Sequence, residues 1–221
     1  MSVWALLVAA GTGERLGEER PKAFVRLGEL PLLAEPLRRL EESSWVDAIV
    51  VAAPEGWEEP AILLAEELSA TKVVAAVTGG ATRAESVRAA LGEVPDDALV
   101  ALVHDAARPL ITDAVIERVL APLAEGWDGV VPGLAVVDTV KSVDGDRVVA
   151  TIAREKLVAV QTPQAFPLTT LRAAYAGELD AATDCASLVE ARGGRVTWVE
   201  GDPRLLKVTT PADLELVSSW L

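Results

Sequence analysis

Apolar, β-branched runs that alternate with segments of helical spacing are the feature that most restricts the fold of this chain. The runs cover residues 3–9, 48–53, 72–77, 98–104 and 128–133, and the helical segments include residues 58–68, 84–91 and 115–123. Continuous apolar strands separated by helices indicate a mostly parallel sheet with both faces covered. We therefore predict a three-layer α/β fold, whose right-handed crossovers bring the carboxyl ends of the strands to one edge. Ligands bind at that edge in such sheets.

The alternation of strands and helices stops after Pro132. Residues 136–149 read as a hairpin with its turn at Asp144-Gly145-Asp146, and no helical segment precedes the next apolar run at residues 157–161. Helices are predicted at residues 168–176 and 184–192, strands at 196–200 and 205–208, and a last helix begins near Thr210. We expect one domain over residues 1–221, with a β-arm projecting from the sheet at about residues 136–155.

Charge and cysteine content exclude several classes of protein. The formal net charge is −14, which argues against a general nucleic-acid or anionic-membrane surface, because phosphate-rich partners need a positive field. The apolar amino end is too short to span a bilayer and lacks the basic region of a secretion signal. The one cysteine, Cys185, excludes an intramolecular disulfide and fits a reducing compartment, so we expect a cytoplasmic protein without nucleic-acid or membrane partners.

The loop after the first apolar run, AAGTGERLGEERPKAF at residues 9–24, combines glycines with positive charge. Its glycine spacing differs from the dinucleotide fingerprint G-x-G-x-x-G, and the Walker pattern G-x-x-x-x-G-K-[ST] is absent. An ordinary strand-to-helix turn with surface arginines is one interpretation. The other is a triphosphate site, because exposed backbone N–H groups followed by cations suit phosphate oxygens.

Two further positions favour the triphosphate site. Lys22 and Lys207 each lie beside a predicted element, and a compact ammonium group can follow a phosphoryl group whose geometry changes. Asp105 ends a predicted central strand, where it either caps the following turn or, together with phosphate oxygens, holds magnesium. His104, the one histidine, is expected to pack or hydrogen-bond beside the site.

Seven motifs resemble those of the 2-C-methyl-D-erythritol 4-phosphate cytidylyltransferase family, in the same order along the chain. They are AAGTGERLG with PKAF, GGATRAESV, VHDAARP, VDTVK, QTPQAF, TDCASLVE and KVTTPADL. The resemblance implies a Rossmann-like nucleotidyltransferase fold with a projecting β-arm that builds a homodimer. It also implies a reaction that joins CTP to methylerythritol phosphate with magnesium, releasing pyrophosphate and belonging to the non-mevalonate isoprenoid pathway.

The resemblance assigns a role to each matching residue. It implies CTP binding by the backbone of Ala10, Gly11 and Gly13, phosphate contacts from Arg15 and Lys22, cytosine recognition at Gly80, Arg83 and Ser86, a magnesium ligand at Asp105, and an α-phosphate contact from Lys207. It further implies that the second substrate meets Arg108, Thr162 and Thr183 of one subunit and Thr139 and Arg154 from the arm of the other. Ala81 stands where the family often carries Asp, so a base contact at this point must use the backbone.

The chemistry of the implied reaction agrees with these residue types. A phosphate oxygen is already a nucleophile at neutral pH, so catalysis needs positioning and charge neutralisation rather than a general base. Two alternatives stay open. One is a ribitol-5-phosphate or related alditol-phosphate cytidylyltransferase, which differs in the second pocket, and the other is a non-catalytic nucleotide-binding domain.

Overall fold

The central feature of the protein is a mixed, mostly parallel β-sheet. The structure is a computed structural model that describes residues 2–18, 20–179 and 182–221. Strands of the central sheet are β1 (Val3–Val8), β4 (Ala48–Ala53), β5 (Val73–Thr78), β6 (Val100–Asp105), β7 (Gly129–Ala135), β10 (Val158–Val160), β11 (Gln164–Pro167) and β12 (Val196–Glu200). Their order is β10-β7-β11-β6-β1-β4-β5, and β12 pairs with β7. Strand β11 runs antiparallel to both of its neighbours, whereas β1, β4, β5 and β6 are mutually parallel.

Helices cover both faces of this sheet. They are α1 (Ala34–Glu42), α2 (Glu58–Glu67), α3 (Arg83–Leu91), α4 (Asp113–Leu120), α5 (Leu168–Tyr175), α6 (Cys185–Ala191) and α7 (Pro211–Ser218). One core joins Leu7 and Leu102 of the sheet to residues of α1, α2 and α4, and a second joins Leu6 and Val103 to residues of α3, α5 and α6. A smaller third cluster includes Val217 of α7. The prediction of a three-layer α/β fold is therefore confirmed. Within the described residues, no helix is both long and apolar enough to cross a membrane.

The register of the parallel strands brings three loops to one edge. Val8 lies opposite Asp105 on one side and Ala52 on the other, and Ala53 lies opposite Thr78. The loops that follow β1, β5 and β6 therefore begin at the same level and carry the glycine-rich, GGAT and AARP segments. This common edge is where the sequence predicts ligand binding.

The predicted hairpin is present as a small sheet of its own. Strand β8 (Val140–Asp144) pairs antiparallel with β9 (Arg147–Ile152), and the turn includes Gly145 at a φ of 54°. The hairpin prediction is confirmed, although the paired strands begin and end a few residues after the predicted limits. Its valines are largely uncovered, with Val137 at 78% and Val143 at 64% exposure.

Four parts of the fold differ from the sequence-based prediction. The strand predicted at residues 205–208 is wrong, because this segment is irregular and is held by a hydrogen bond from the Val208 N–H to the Ala107 carbonyl (2.8 Å). Its Leu205 and Val208 are fully buried, so an apolar pattern arose without sheet pairing. The prediction also lacked α1, the short β2–β3 hairpin (Arg26–Leu27 and Leu30–Pro31) and β11.

Gly129 at the start of β7 provides a test of the packing between β7 and β11. A Cβ at this position would lie 2.6 Å from Cε1 of Phe166, a ring that is fully buried. Gly129→Ala should lower the free energy of unfolding by about 1–3 kcal/mol through overpacking. In a double-mutant cycle measured by denaturant unfolding, Phe166→Leu should relieve part of this cost, and strictly additive effects would contradict the predicted contact.

Candidate active site

The glycine-rich loop after β1 folds back onto Lys22. Gly13 has a φ of 74°, and a Cβ on it would lie 2.7 Å from the Cβ of Lys22, so this position requires glycine. The Lys22 N–H donates to the Gly11 carbonyl over 3.4 Å. The loop conformation thus brings the Lys22 ammonium to the edge of the sheet.

The loop after β5 lies directly against the loop after β1. A Cβ on Gly79 would lie 2.3 Å from the Cβ of Ala10, so the two loops are in van der Waals contact only because residue 79 is glycine. The Ser86 hydroxyl accepts from the Gly80 N–H (3.1 Å) and donates to the Thr82 carbonyl (2.9 Å). These bonds fix the turn before α3.

Helix α3 begins with a complete capping box. The Thr82 hydroxyl accepts from the Glu85 N–H (3.1 Å), and the Glu85 carboxylate accepts from the Thr82 N–H (2.9 Å). This cap sets the first turn of the helix. It therefore orients Arg83, the first residue of α3, toward the end of β6.

Asp105, the last residue of β6, is held between two cations. Its Oδ1 accepts from Nε of Arg83 at 2.8 Å and its Oδ2 from Nζ of Lys207 at 2.7 Å. Burial by itself raises the pKa of this carboxyl group, but Arg83 and Lys207 together hold the pKa below its ordinary value. Asp105 is therefore ionised throughout the physiological pH range.

His104 connects Asp105 to two neighbouring loops. The Asp105 N–H donates to Oγ1 of Thr162 (3.0 Å), which lies 3.1 Å from Nδ1 of His104, while Nε2 lies 3.0 Å from the Arg108 carbonyl. Because a carbonyl can only accept, Nε2 carries the proton and Nδ1 accepts from the Thr162 hydroxyl. Burial lowers the pKa of His104 to about 4, which keeps the ring neutral. The expectation that His104 hydrogen-bonds beside the site is confirmed.

Lys22 has an unusual electrostatic environment for a lysine. Burial, followed by the nearby charge of Lys207, lowers its pKa to about 8. Asp105 opposes this shift, as does Asp213 at the start of α7. The site thus concentrates positive charge that an anionic ligand would stabilise.

Two cavities meet at the Asp105 ion pairs. The first has a volume of about 330 Å³ and is bordered by the loops after β1 and β5, Lys22, Ser86 and the end of β6. The second has a volume of about 540 Å³ and is bordered by Arg108, β10, residues 161–164 and the start of α6. Arg83, Asp105 and Lys207 border both cavities and form the wall between them.

The structure brings most of the predicted site residues together at these cavities. The first cavity is lined by Ala10, Gly11, Lys22, Gly80, Arg83, Ser86, Asp105 and Lys207, and the second by Arg83, Asp105, Arg108, Thr162, Thr183 and Lys207. Gly13 and Arg15 border neither cavity: Gly13 packs against Lys22, and Arg15 is exposed, with its charge contributing to the lowered pKa of Lys22. Thr139 and Arg154 border neither cavity and lie exposed at the base of the hairpin, where Arg154 donates to the Val137 carbonyl.

Sequence reasoning missed several polar groups at the second cavity. Gln161, Gln164 and Asp184 border it, and behind Arg83 the buried Cys185 lies 3.4 Å from Nη1 of that arginine. Burial raises the pKa of the Cys185 thiol, so it remains neutral and contacts the Tyr175 hydroxyl at 3.1 Å. The chain has two glutamines and no asparagine, and the location of both glutamines within one short motif was a usable signal.

Asp105 is the residue that could hold a divalent cation at the first cavity. It is the one carboxylate among the described residues that line this cavity, and no cluster of three or more potential metal-ligating side chains occurs in the described part of the chain. Magnesium binds through one or two carboxylates when phosphates and water supply its other oxygens. The residues present therefore fit a magnesium ion that arrives with a polyphosphate ligand.

Comparisons with known proteins agree on one family. The sequence model of the 2-C-methyl-D-erythritol 4-phosphate cytidylyltransferase family matches residues 3–221. The chain is 50% identical to the 2-C-methyl-D-erythritol 4-phosphate cytidylyltransferase of Nocardia farcinica over 221 residues, which are 100% of this chain and 94% of that protein. It is also similar to the crystal structures of the enzymes of that name from Francisella tularensis (TM-score 0.85, 28% identity, all of both chains) and Thermus thermophilus (TM-score 0.78, 33% identity, 97% of this chain and 96% of that one).

Proposed function

The chain belongs to the 2-C-methyl-D-erythritol 4-phosphate cytidylyltransferase family, and we propose that its first cavity binds CTP and its second binds methylerythritol phosphate. The reaction gives the CDP-alditol and pyrophosphate, a step of the non-mevalonate isoprenoid pathway. The observation that carries this proposal is the wall shared by the two cavities, where Arg83, Asp105 and Lys207 meet. Two anionic substrates bound on either side would have their reacting phosphates at this wall.

Lys22 and Lys207 supply the electrostatics that such a reaction needs. An oxygen of the methylerythritol phosphate attacks the α-phosphorus of CTP, and the bond from that phosphorus to the pyrophosphate oxygen breaks. The nucleophile needs no general base, but two anions must approach and charge develops on the α-phosphate and the leaving group. Lys22 and Lys207 border the first cavity and lower this barrier.

The loops after β1 and β5 supply the remaining CTP contacts in this proposal. The backbone of Ala10, Gly11 and Gly13 and the side chain of Arg15 take the triphosphate. Gly80 and Ser86 face the cytosine, with Ala81 contributing only its backbone. The Ser86 hydroxyl already bonds Gly80 and Thr82, so it recognises the base from a fixed position.

Asp105 is proposed as the protein ligand of magnesium. The ion, when bound with the triphosphate, neutralises charge on the phosphate oxygens. Asp105 is ionised and buried, and it is held in place by its own N–H bond to Thr162.

The second cavity is suited to a phosphorylated alditol. Arg108 borders it and is held by a bond from its Nη1 to the Leu205 carbonyl (2.6 Å), while its Nε is buried without a partner among the described residues. Thr183 adds a hydroxyl group to the same cavity, and Thr162 also borders it, with its hydroxyl group bonded to His104 and to the Asp105 N–H. A cation beside several hydroxyl groups matches a ligand with one phosphate and a polyol chain.

Turnover with defined substrates tests the proposed function. Pyrophosphate release should require both CTP and methylerythritol phosphate, and CTP should exceed ATP and GTP in kcat/KM by up to roughly 10⁴-fold, because the site is built to hydrogen-bond a pyrimidine. Ribitol 5-phosphate should be a poor substrate. Higher kcat/KM with ribitol 5-phosphate would indicate the related cytidylyltransferase, and nucleotide binding without pyrophosphate release would indicate a binding domain.

Lys22 gives a prediction with a defined pH dependence. Below a pH of about 8 its amine is protonated in the free protein and attracts CTP; as the pH rises through about 8 the charge is lost. The kcat/KM for CTP should therefore fall above pH 8, and Lys22→Arg should move this decline to higher pH. Lys22→Ala should lower kcat by roughly 10²-fold, on the scale of one lost electrostatic donor. A Lys22→Ala protein with unchanged kcat and a raised KM for CTP would show that Lys22 only binds the nucleotide.

The hairpin is proposed as the dimerisation arm of a homodimer. A two-stranded ribbon is marginal in water, and Val137, Val143, Val148 and Val149 are each more than half exposed. Packing of two copies about a two-fold axis would bury these valines. Thr139 and Arg154, which border neither cavity of their own chain, then serve the second cavity of the partner.

Mixing inactive chains tests the shared site. Arg154→Ala and Lys22→Ala proteins should each lose activity, and refolding them together should restore it, because a heterodimer contains one site with both residues intact. The measurement is pyrophosphate release after co-refolding, with each variant refolded alone as the control. Heterodimers that form without recovered activity, or a monomer at micromolar concentration, would contradict the shared site.

A reducing, cytoplasmic location is the remaining part of the proposal. Cys185 is buried and free in the described structure, and its neutral thiol contacts Tyr175 and Arg83. Such a thiol is compatible with a compartment that keeps cysteines reduced. Cell fractionation followed by immunodetection would check it.

A further inference from the structure

The two glutamines of the chain lie at the second cavity but differ in how their amides are used. Gln161 is fully engaged: its Oε1 accepts from the Asp202 N–H (3.1 Å) and its Nε2 donates to the Asp202 carbonyl (2.9 Å). Gln164 donates from Nε2 to Oδ2 of Asp184 (2.9 Å), but its buried Oε1 has no hydrogen-bond partner among the described residues. The Gln164 residue is 1% exposed.

Asp184 determines which end of the Gln164 amide is left over. Oδ1 of Asp184 accepts from the Ser187 N–H (2.9 Å) and caps α6, so Oδ2 is the oxygen that faces Gln164. An ionised carboxylate can only accept, and the amide must therefore turn its NH₂ group toward Asp184. Gln164 Oε1 therefore remains an acceptor without a partner among the described residues, on a side chain that borders the second cavity.

The unpartnered polar atoms of the described residues concentrate at this cavity. Among the described residues, the buried side-chain atoms without a partner are Arg83 Nη2, Arg108 Nε, Arg118 Nε and Gln164 Oε1. All but the Arg118 atom belong to residues that border the second cavity. The two arginine atoms are donors, which suit phosphate oxygens. Gln164 Oε1 is an acceptor, which an ionised phosphate cannot satisfy but a hydroxyl group can.

We propose that Gln164 is a specificity-determining residue, whose Oε1 accepts a hydrogen bond from one hydroxyl group of the alditol chain in the second cavity. This inference rests on the proposed function, because it requires an alditol phosphate in that cavity. Asp184 is the positioning residue that presents the Gln164 oxygen. Together, Gln164 and Asp184 make the second cavity favour substrates that carry a hydroxyl group at one position of the carbon chain.

Monodeoxy analogues of methylerythritol phosphate, each lacking one hydroxyl group, test the role of Gln164. With the unchanged protein, the analogue that lacks the contacted hydroxyl should have a kcat/KM about tenfold below the parent, on the scale of one neutral hydrogen bond. Gln164→Met should lower the kcat/KM of the parent by about the same factor and use that analogue equally well, while the KM for CTP stays unchanged. The other analogues should keep their relative rates, because their hydroxyl groups do not contact residue 164.

Substitutions at Asp184 separate this role from a general loss of structure. In Asp184→Asn, the new side-chain oxygen still caps α6 and its NH₂ faces Gln164, so the Gln164 amide should reverse and present NH₂ to the cavity. Asp184→Asn should therefore no longer discriminate between the parent substrate and the same analogue, although the size of the side chain at position 184 is nearly unchanged. Gln164→Glu combined with Asp184→Asn should restore the discrimination, because the introduced carboxylate can accept from the introduced NH₂ group and keep an oxygen for the substrate. Gln164→Glu alone places two carboxylates together and should not restore the discrimination.

The possible results are distinguishable. The unchanged protein, Gln164→Met and Asp184→Asn could all discriminate among the analogues to the same extent. This result would overturn the role of Gln164 while leaving the proposed function intact. Loss of discrimination in both single variants with no recovery in the double variant would show that the Asp184–Gln164 pair acts only through local structure, which also overturns it. No turnover of methylerythritol phosphate by the unchanged protein would refute the proposed function, and the role of Gln164 with it.

Discussion

The buried carboxylate of Asp105, paired with Arg83 and Lys207, is the interaction on which the organisation of the site depends. Burial by itself would favour the protonated form of this carboxylate, and the charges of Arg83 and Lys207 together hold its pKa below the ordinary value. The three residues come from the end of β6, the first turn of α3 and the segment before α7. Removal of either cation would leave one oxygen of the buried Asp105 carboxylate without its ion-pair partner, which is costly for a buried ion. The wall between the cavities therefore also connects three parts of the fold through ion pairs.

Much of the fold could be predicted from the sequence, because a strand buried on both faces must be continuously apolar and strands β1, β4 and β6 have this pattern. The same criterion failed at residues 205–208, where Leu205 and Val208 are buried under the site without pairing in the sheet. It also failed for β11, which has only four residues, begins after Pro163 and ends at Pro167. Hydrophobic pattern reports burial, whereas sheet membership depends on hydrogen bonds that the pattern does not specify.

The residue types of the site could be predicted from the sequence, but the hydrogen bonds and ion pairs between these residues could not. Glycines, lysines and a strand-terminal aspartate indicated a phosphate site, and these residues do meet at one edge. The pairing of Asp105 with Arg83 depends on strand register and on the capped start of α3, which are tertiary properties. The role proposed for Gln164 likewise depends on its contact with Asp184, which is 20 residues away in sequence.

The position of Lys207 along the chain has a consequence for synthesis on the ribosome. Asp105 and Lys207 are separated by 102 residues, and the segment that carries Lys207 docks on Ala107 after every strand of the described sheet has been made. Of the two cations that pair with Asp105, a nascent chain therefore has only Arg83 until the carboxyl-terminal region emerges. Completion of the Asp105 ion pairs is consequently among the last events of chain elongation, and a prematurely terminated product would carry the loops after β1 and β5 without Lys207.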